Sequence, residues 1–321
     1  MIGTREIINT VWYVCIYGLM AVPLTLSYRI TKIINFAHGI YITLGAYSTI
    51  VFTLLIGNDV SPFIAFPISF TVGAVLAVII HILVFKPLIL RKSNEVTLMV
   101  ASMGAWIFVK YAFYAVLDIL QKTYMKSLFY TTPRFDFPDN VYLLGYSIDA
   151  DFVFIVLLTV ALFGGLGYFL TRHKLGLAIR SVADNPELSE ISGISKETVM
   201  TITWIISGGL AALGGFALSM FSYVSPETGD ILILQVFACA VLGGLASLPL
   251  TLAGALFVSF SENILIVFLN RYLGVALSFR PFLSFFALLL AILIRPPEGT
   301  SGGLPYRYNI RRLLRREKKD V

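Results

Sequence analysis

Charge is what this chain of 321 residues has least of: only 13% of them are Asp, Glu, Lys or Arg, against 58% hydrophobic. Soluble domains carry roughly a quarter charged residues, so the composition excludes an ordinary soluble globular protein. Cysteine is nearly missing, and Cys15 and Cys239 each sit inside an apolar run. That argues against a disulfide framework and a cysteine metal site. Histidine is as rare. His38, His81 and His173 lie far apart without metal-ligand spacing, and no Ser stands in a nucleophile-elbow context. No catalytic set emerges. What the chain does have is a succession of apolar stretches of about 20 residues, the mark of an all-α polytopic membrane protein. Helices are the default because every backbone polar group must be satisfied within lipid.

Nine apolar segments are read, at 7–28, 33–56, 62–85, 96–120, 150–171, 199–221, 231–248, 250–269 and 281–294. The last is short, and only Pro249 separates the seventh from the eighth, so eight to ten full or half-membrane helices are expected in one bundle. The first run starts near Ile7, is too long for a signal h-region and lacks a small-residue cleavage site, so no removable signal peptide is expected. The net charge of +6 has a local origin, with eight basic residues beyond position 294. It reads as a positive-inside terminus rather than a nucleic-acid surface. Placing 29–32, 86–95, 172–198 and the end of the chain from Arg295 through the basic tail 296–321 on one side collects 17 of the 24 Lys and Arg residues. That side is then cytoplasmic, the C-terminus included; an odd segment count puts the N-terminus outside, and one re-entrant segment would put it inside. The opposite side carries a loop at 121–149 in which "NVYLLGYSI" suits a short hairpin.

The inner loop, 172–198, has helical logic. Leu175, Ala178, Ile179 and Val182 recur at helical spacing and give one apolar face. Asn185 suits an N-cap ahead of Pro186 at the first helical position, and Glu187 sits in the first turn, where negative charge is favourable. Gly193 is a C-terminal stop. A helix, a sharp turn and a short exposed helix are expected.

Four stretches in order, "RITKIINFAHGIYITLGAY" (29–47), "GLAIRSVADNPELSEISGI" (176–194), "AVLGGLASLPLTLAGAL" (240–256) and "IRPPEGTSGG" (294–303), resemble the signatures of a known family. It is the permease subunits of branched-chain amino-acid ABC importers. The resemblance implies a transmembrane permease domain over 1–295 and a cell-membrane location. Implied partners are two cytoplasmic ATPases, a second permease chain, identical or related, and an external substrate-binding protein. It places Gly176, Ala183, Pro186, Glu187, Leu188 and Gly193 on the ATPase-coupling motif. The chain has no G-x-x-x-x-G-K-[ST] loop, which fits a subunit that binds no cofactor of its own and borrows ATP hydrolysis. Similar permeases serve urea and short amides, so those stay open as cargo.

Polar groups inside the apolar segments are few. In "INFAHG" (34–39), Asn35 can cap or interrupt a helix, His38 can bond a freed carbonyl, and Gly39 lets a neighbour approach. A helix break near the gate is favoured over direct contact with cargo. Gly243 and Gly244, with Pro249, weaken helix continuity, and broken helices in transporters line cavities. Glu262 would be costly facing lipid and is expected to face the bundle interior beside Asn263, as path residue or hydrogen-bond partner. Lys110 is expected to snorkel outward, and His81 to be a satisfied packing residue. The small residues of "SGGLAALGG" (207–215) are expected to allow close helix packing. The rival class is a stand-alone secondary transporter, in which Glu262 or His38 would carry a coupled proton.

Overall fold

The computed structural model describes residues 4–56, 61–125, 127–128, 141–143, 146–245 and 247–294. The basic tail at 296–321 and most of the 121–149 loop lie outside them. Among the described residues seven helices are long and apolar enough to cross a membrane, and two shorter apolar helices accompany them. These nine correspond to the nine apolar segments. The first is α1 (Thr4–Thr31), followed by α2 (His38–Ile56) and α3 (Pro62–Ile80). A π turn at His81–Phe85 joins α3 to α4 (Lys86–Leu90). Next come α5 (Glu95–Tyr124) and a two-stranded antiparallel ribbon, β1 (Val141–Leu143) with β2 (Tyr146–Ile148), where the hairpin was expected. Then follow α6 (Ala150–Arg172), α7 (Lys174–Asp184), α8 (Pro186–Ile191) and α9 (Lys196–Phe221). The last part holds α10 (Thr228–Leu242), α11 (Leu248–Phe260) with a second π turn at Ser261–Leu265, α12 (Ile266–Leu273) and α13 (Arg280–Ile294).

The core forms around α9, against which α1, α2 and α3 all pack. Its "SGGLAALGG" stretch is the reason. A Cβ on Gly208 would overlap Gly73 of α3, and one on Gly215 would overlap the Ile42 carbonyl of α2. Lipid supplies no hydrophobic drive between helices, so close backbone approach must supply the contact. Trp204 is fully buried beneath this stretch and stacks on Phe85 at 4.8 Å. By contrast α5 and α6 are mostly exposed apolar surface, as suits helices at the periphery of a bundle.

Two ion pairs show which loops share a face. Arg29 at the end of α1 lies 3.6 Å from Asp184 at the end of α7, and Lys86 of α4 pairs with Glu197 at the start of α9. Of the stretches grouped by charge, those at 29–32, 86–95 and 172–198 therefore sit together. It follows that α1 ends at the face where α9 begins, so the two run antiparallel.

From there the element order repeats. After α1 comes a short non-helical entry and α2, then α3 with its π turn. After α9 comes a short non-helical entry and α10, then α11 with its π turn. The two halves are thus inverted copies in layout. They touch where α2 and α10 begin: a Cβ on Gly229 would overlap the Gly39 carbonyl, and the Gly229 amide donates to Thr43 Oγ1 at 2.9 Å.

Two boundaries differ from the expected ones. The second segment becomes helical only at His38, because Asn35 Oδ1 takes the Ala37 amide at 3.0 Å in a local turn that competes with helix. The break between the seventh and eighth segments is made by Gly243–Ser247 rather than by Pro249 alone. Gly244 has φ +73°, and its amide and that of Leu245 bond back to Val241 and Ala240, a Schellman stop. Pro249 then lies in the first turn of α11, where its missing N–H costs nothing.

Candidate functional site

Two regions carry polar structure beyond what packing requires, one on a face of the bundle and one inside it. The first is the face that holds Arg29, Lys86 and the α7–α8 loop. Gly176 is buried because α7 rests on the end of α6, and a Cβ there would overlap the Phe169 carbonyl. Ile179 and Val182 are buried beside it, whereas Leu175 is 40% exposed, so the inward stripe is Gly176, Ile179 and Val182. Ala183 packs partly against the core. Asn185 closes α7 and opens α8, its side chain accepting the Leu188 amide at 3.0 Å. Pro186 fills the first position of α8. The helix ends at Gly193 (φ +82°), where the amides of Gly193 and Ile194 bond Glu190 and Ser189 carbonyls. Ser189, the buried residue of α8, is tied to Ser181 at 2.8 Å. Glu187 is exposed, and Leu188 and Ile191 are 60% and 85% exposed. The result is a rigid, short helix held from below that presents two apolar side chains outward.

The second region is inside the bundle, and α1 is its spine. Along α1, Tyr17 donates to Glu262 Oε2 at 2.6 Å, the Met20 carbonyl bonds His38 Nε2 at 2.7 Å, and the Pro23 carbonyl accepts from Ser207. Thr25 meets Thr251 at 2.9 Å. Thr251 is also the residue on which Gly243 packs. The residues expected on the path are thus not one cluster. Three separate places, around Glu262, around His38 and around Gly243–Gly244, are strung over about 12 Å of one helix.

His38 is fully buried. Met20 is eleven residues before the end of α1, about 16 Å along it, so "INFAHG" re-enters the bundle rather than resting at its edge. The Phe36 amide donates to Ser102 Oγ of α5 at 3.0 Å. With Nε2 donating to a carbonyl, His38 acts as a strut between α1 and α2. His81 packs, stacked near Trp204, but it is not the satisfied residue expected, since among the described residues its buried Nδ1 has no hydrogen-bond partner.

Glu262 faces the interior, in the π turn after α11. Ser284 of α13 donates to its Oε1, and Asn263 donates to the Ser259 carbonyl at 2.9 Å. The carboxylate borders a cavity of about 390 Å³ between α1, α9, α10 and α13, lined also by Tyr13, Gln235 and Arg280. Lys110 does not snorkel. Its ammonium lies 2.5 Å from Asp230 Oδ2, and Trp106 Nε1 donates to Oδ1 at 2.7 Å. Asp230 stands in the first turn of α10, where a negative charge also faces the helix dipole. The missed residues are Tyr17, Arg280, Lys110 and Asp230. For the last two a signal existed: a base inside one apolar segment and an acid at the edge of another ask for one another.

A multi-pass bundle with two discontinuous helices meeting inside it, and a rigid knob on one face, has the make-up of a membrane transport component. The comparisons agree. The chain belongs to the family described as branched-chain amino acid transport system / permease component, whose model matches residues 6–294. It is 30% identical over 288 residues to the probable branched-chain amino acid transport permease protein LivH of Methanocaldococcus jannaschii, covering 88% of each chain. It is 28% identical to the high-affinity branched-chain amino acid transport system permease protein BraD of Pseudomonas aeruginosa, covering 93% of this chain and 95% of that one. A solved structure, PsaBC from Streptococcus pneumoniae in complex with Fab, has a similar fold, with a TM-score of 0.51 over 92% of this chain and 94% of that one at 13% identity.

Proposed function

We propose that this chain is the membrane-spanning permease subunit of a binding-protein-dependent ABC importer for branched-chain amino acids, driven by separate ATPase subunits. In this reading the face carrying α7 and α8 is cytoplasmic, and the C-terminus lies on the same side. An external binding protein delivers the cargo to the opposite face, and a second permease chain completes the path. The observation that carries the reading is the knob. Leu188 and Ile191 are apolar, exposed and mounted on a helix that is capped at both ends. A short helix of that kind fits a groove on a partner. Arg29 links α1 to the end of α7, so a push on α8 reaches the spine of the interior sites. Closure of the ATPases on ATP would then shift α1 against α2 and α9 and switch access between the two faces.

The proton-coupled alternative that would use His38 loses ground on its geometry. His38 is sealed in the core with its donor nitrogen on a carbonyl, and no path for a proton is needed to explain it. The test is a double substitution, Leu188→Asp with Ile191→Asp. Both side chains are exposed, so the permease should still fold and reach the membrane. Co-purification of the ATPases and ATP-driven leucine uptake should both be lost. If both persist at wild-type levels, the knob is not the coupling element.

A further inference from the structure

The cavity beside Glu262 sits at the end of the bundle away from the coupling face, between the outer halves of α1 and α9 and the starts of α10 and α13. Its volume of about 390 Å³ lies within the roughly 300–1,000 Å³ of small-ligand pockets. Its two charged groups are of opposite sign and come from different elements. Glu262 accepts hydroxyl donors on both oxygens, from Tyr17 and Ser284, an arrangement that solvates an anion. Arg280 faces the same space, close enough to act on Glu262 electrostatically, yet it has no ion-pair partner within 4.0 Å among the described residues, and its buried Nε has no hydrogen-bond partner. The rest of the wall mixes the aliphatic side chains of Leu218, Ile231, Leu232 and Leu277 with neutral polar ones such as Ser225, Gln235 and Asn263.

An unpaired guanidinium and an anchored carboxylate on the wall of one chamber that also carries aliphatic side chains match one chemistry. We infer that this cavity is a binding subsite for the zwitterionic head of an α-amino acid, with Arg280 taking the carboxylate, Glu262 taking the ammonium, and the leucine and isoleucine wall taking an aliphatic side chain. The inference rests on the importer reading and narrows it: the permease itself inspects both charges before passing the cargo inward. Arginine can bind a carboxylate bidentately, so the pair sets orientation as well as charge. A neutral amide such as urea satisfies neither end.

The test uses a Tyr223→Cys variant of the full-length chain. Tyr223 lines the cavity and is 71% exposed, whereas Cys15 and Cys239 are buried and should label slowly. Maleimide labelling at position 223 is timed with leucine, with 3-methylbutylamine (no carboxylate), with 4-methylpentanoate (no ammonium) and with urea. Leucine should slow labelling at least fivefold, and the other three should not. Adding Arg280→Gln or Glu262→Gln should abolish the protection. Equal protection by leucine and by either one-charge analogue, or none by leucine, overturns the subsite, and this arm does not depend on the charge variants folding. Leucine uptake by cells relying on the wild-type chain separates the two failures. Absent uptake overturns the importer reading. Uptake that is present in the wild type and retained in well-expressed Arg280→Gln and Glu262→Gln overturns the subsite alone.

Discussion

Lys110 and Asp230 show at single-residue scale how a membrane interior changes the meaning of a charge. Their side chains are 17% and 19% exposed and 2.5 Å apart, with Trp106 completing the carboxylate's shell. Breaking one side of a buried pair strands the other and costs about 3–5 kcal/mol, while removing both charges costs much less. We therefore expect Lys110→Met to lower the thermal midpoint of the detergent-solubilised protein sharply, and Lys110→Met with Asp230→Asn to recover most of it. A double variant as unstable as the single one would mean that the pair contributes nothing beyond the packing of its side chains. The sequence held both charges in plain sight. What it did not hold was their pairing, which joins positions 120 residues apart, so Lys110 read as a solvent-seeking side chain. Glu262 was the opposite case. The cost of a lone carboxylate in lipid dictated that it face inward, and it does.

At the scale of elements, α7 and α8 were legible because helix ends are written in local chemistry. An Asn cap, a Pro at the first position and a Gly at the stop are all short-range instructions, and each is used as read. The Schellman stop at Gly193 makes a sharp prediction. An Ala there must hold φ near +82°, at a cost of roughly 1–2 kcal/mol, or about 5- to 30-fold in the local opening equilibrium. Hydrogen exchange at the Ile194 amide, which bonds the Ser189 carbonyl, should accelerate by that factor in Gly193→Ala while amides deep in α9 are unchanged. An unchanged rate at Ile194 would show that the turn does not hold the helix. The start of α2 was legible only in part. Asn35 signalled an interrupted helix, but the depth of the break was set by Met20 and Ser102, partners from α1 and α5 that no local pattern names.

At the scale of the whole molecule, the arrangement of ends is the fact with the widest consequence. Arg29 with Asp184, and Lys86 with Glu197, put the loops after α1, α4 and α7 on one face, and Ser222 and Tyr223 follow α9 to the other. With cysteine introduced one position at a time, Leu188→Cys should react with a membrane-impermeant maleimide only in inside-out vesicles, and Tyr223→Cys only in right-side-out ones. Labelling of both from the same side would contradict the bundle itself, and labelling with the sides exchanged would invert the proposed orientation. The inverted layout of the two halves also belongs to this scale. Its seam is the contact of Gly39 with Gly229, where any larger side chain would push α2 and α10 apart.

The sequence by itself determined the class of molecule, the order of its apolar segments, the caps of the α7–α8 loop and the face on which the loops at 29–32, 86–95 and 172–198 gather. Those follow from hydropathy, charge and local hydrogen bonding, all of which act over a few residues or over bulk composition. The tertiary structure alone decided that α2 and α10 begin inside the bundle, that His38 braces Met20, that Lys110 answers Asp230, and that Glu262 and Arg280 share a chamber. Each of those is a meeting of residues far apart in the chain, and in lipid it is selected by close backbone packing and by the need of every buried polar group for a partner.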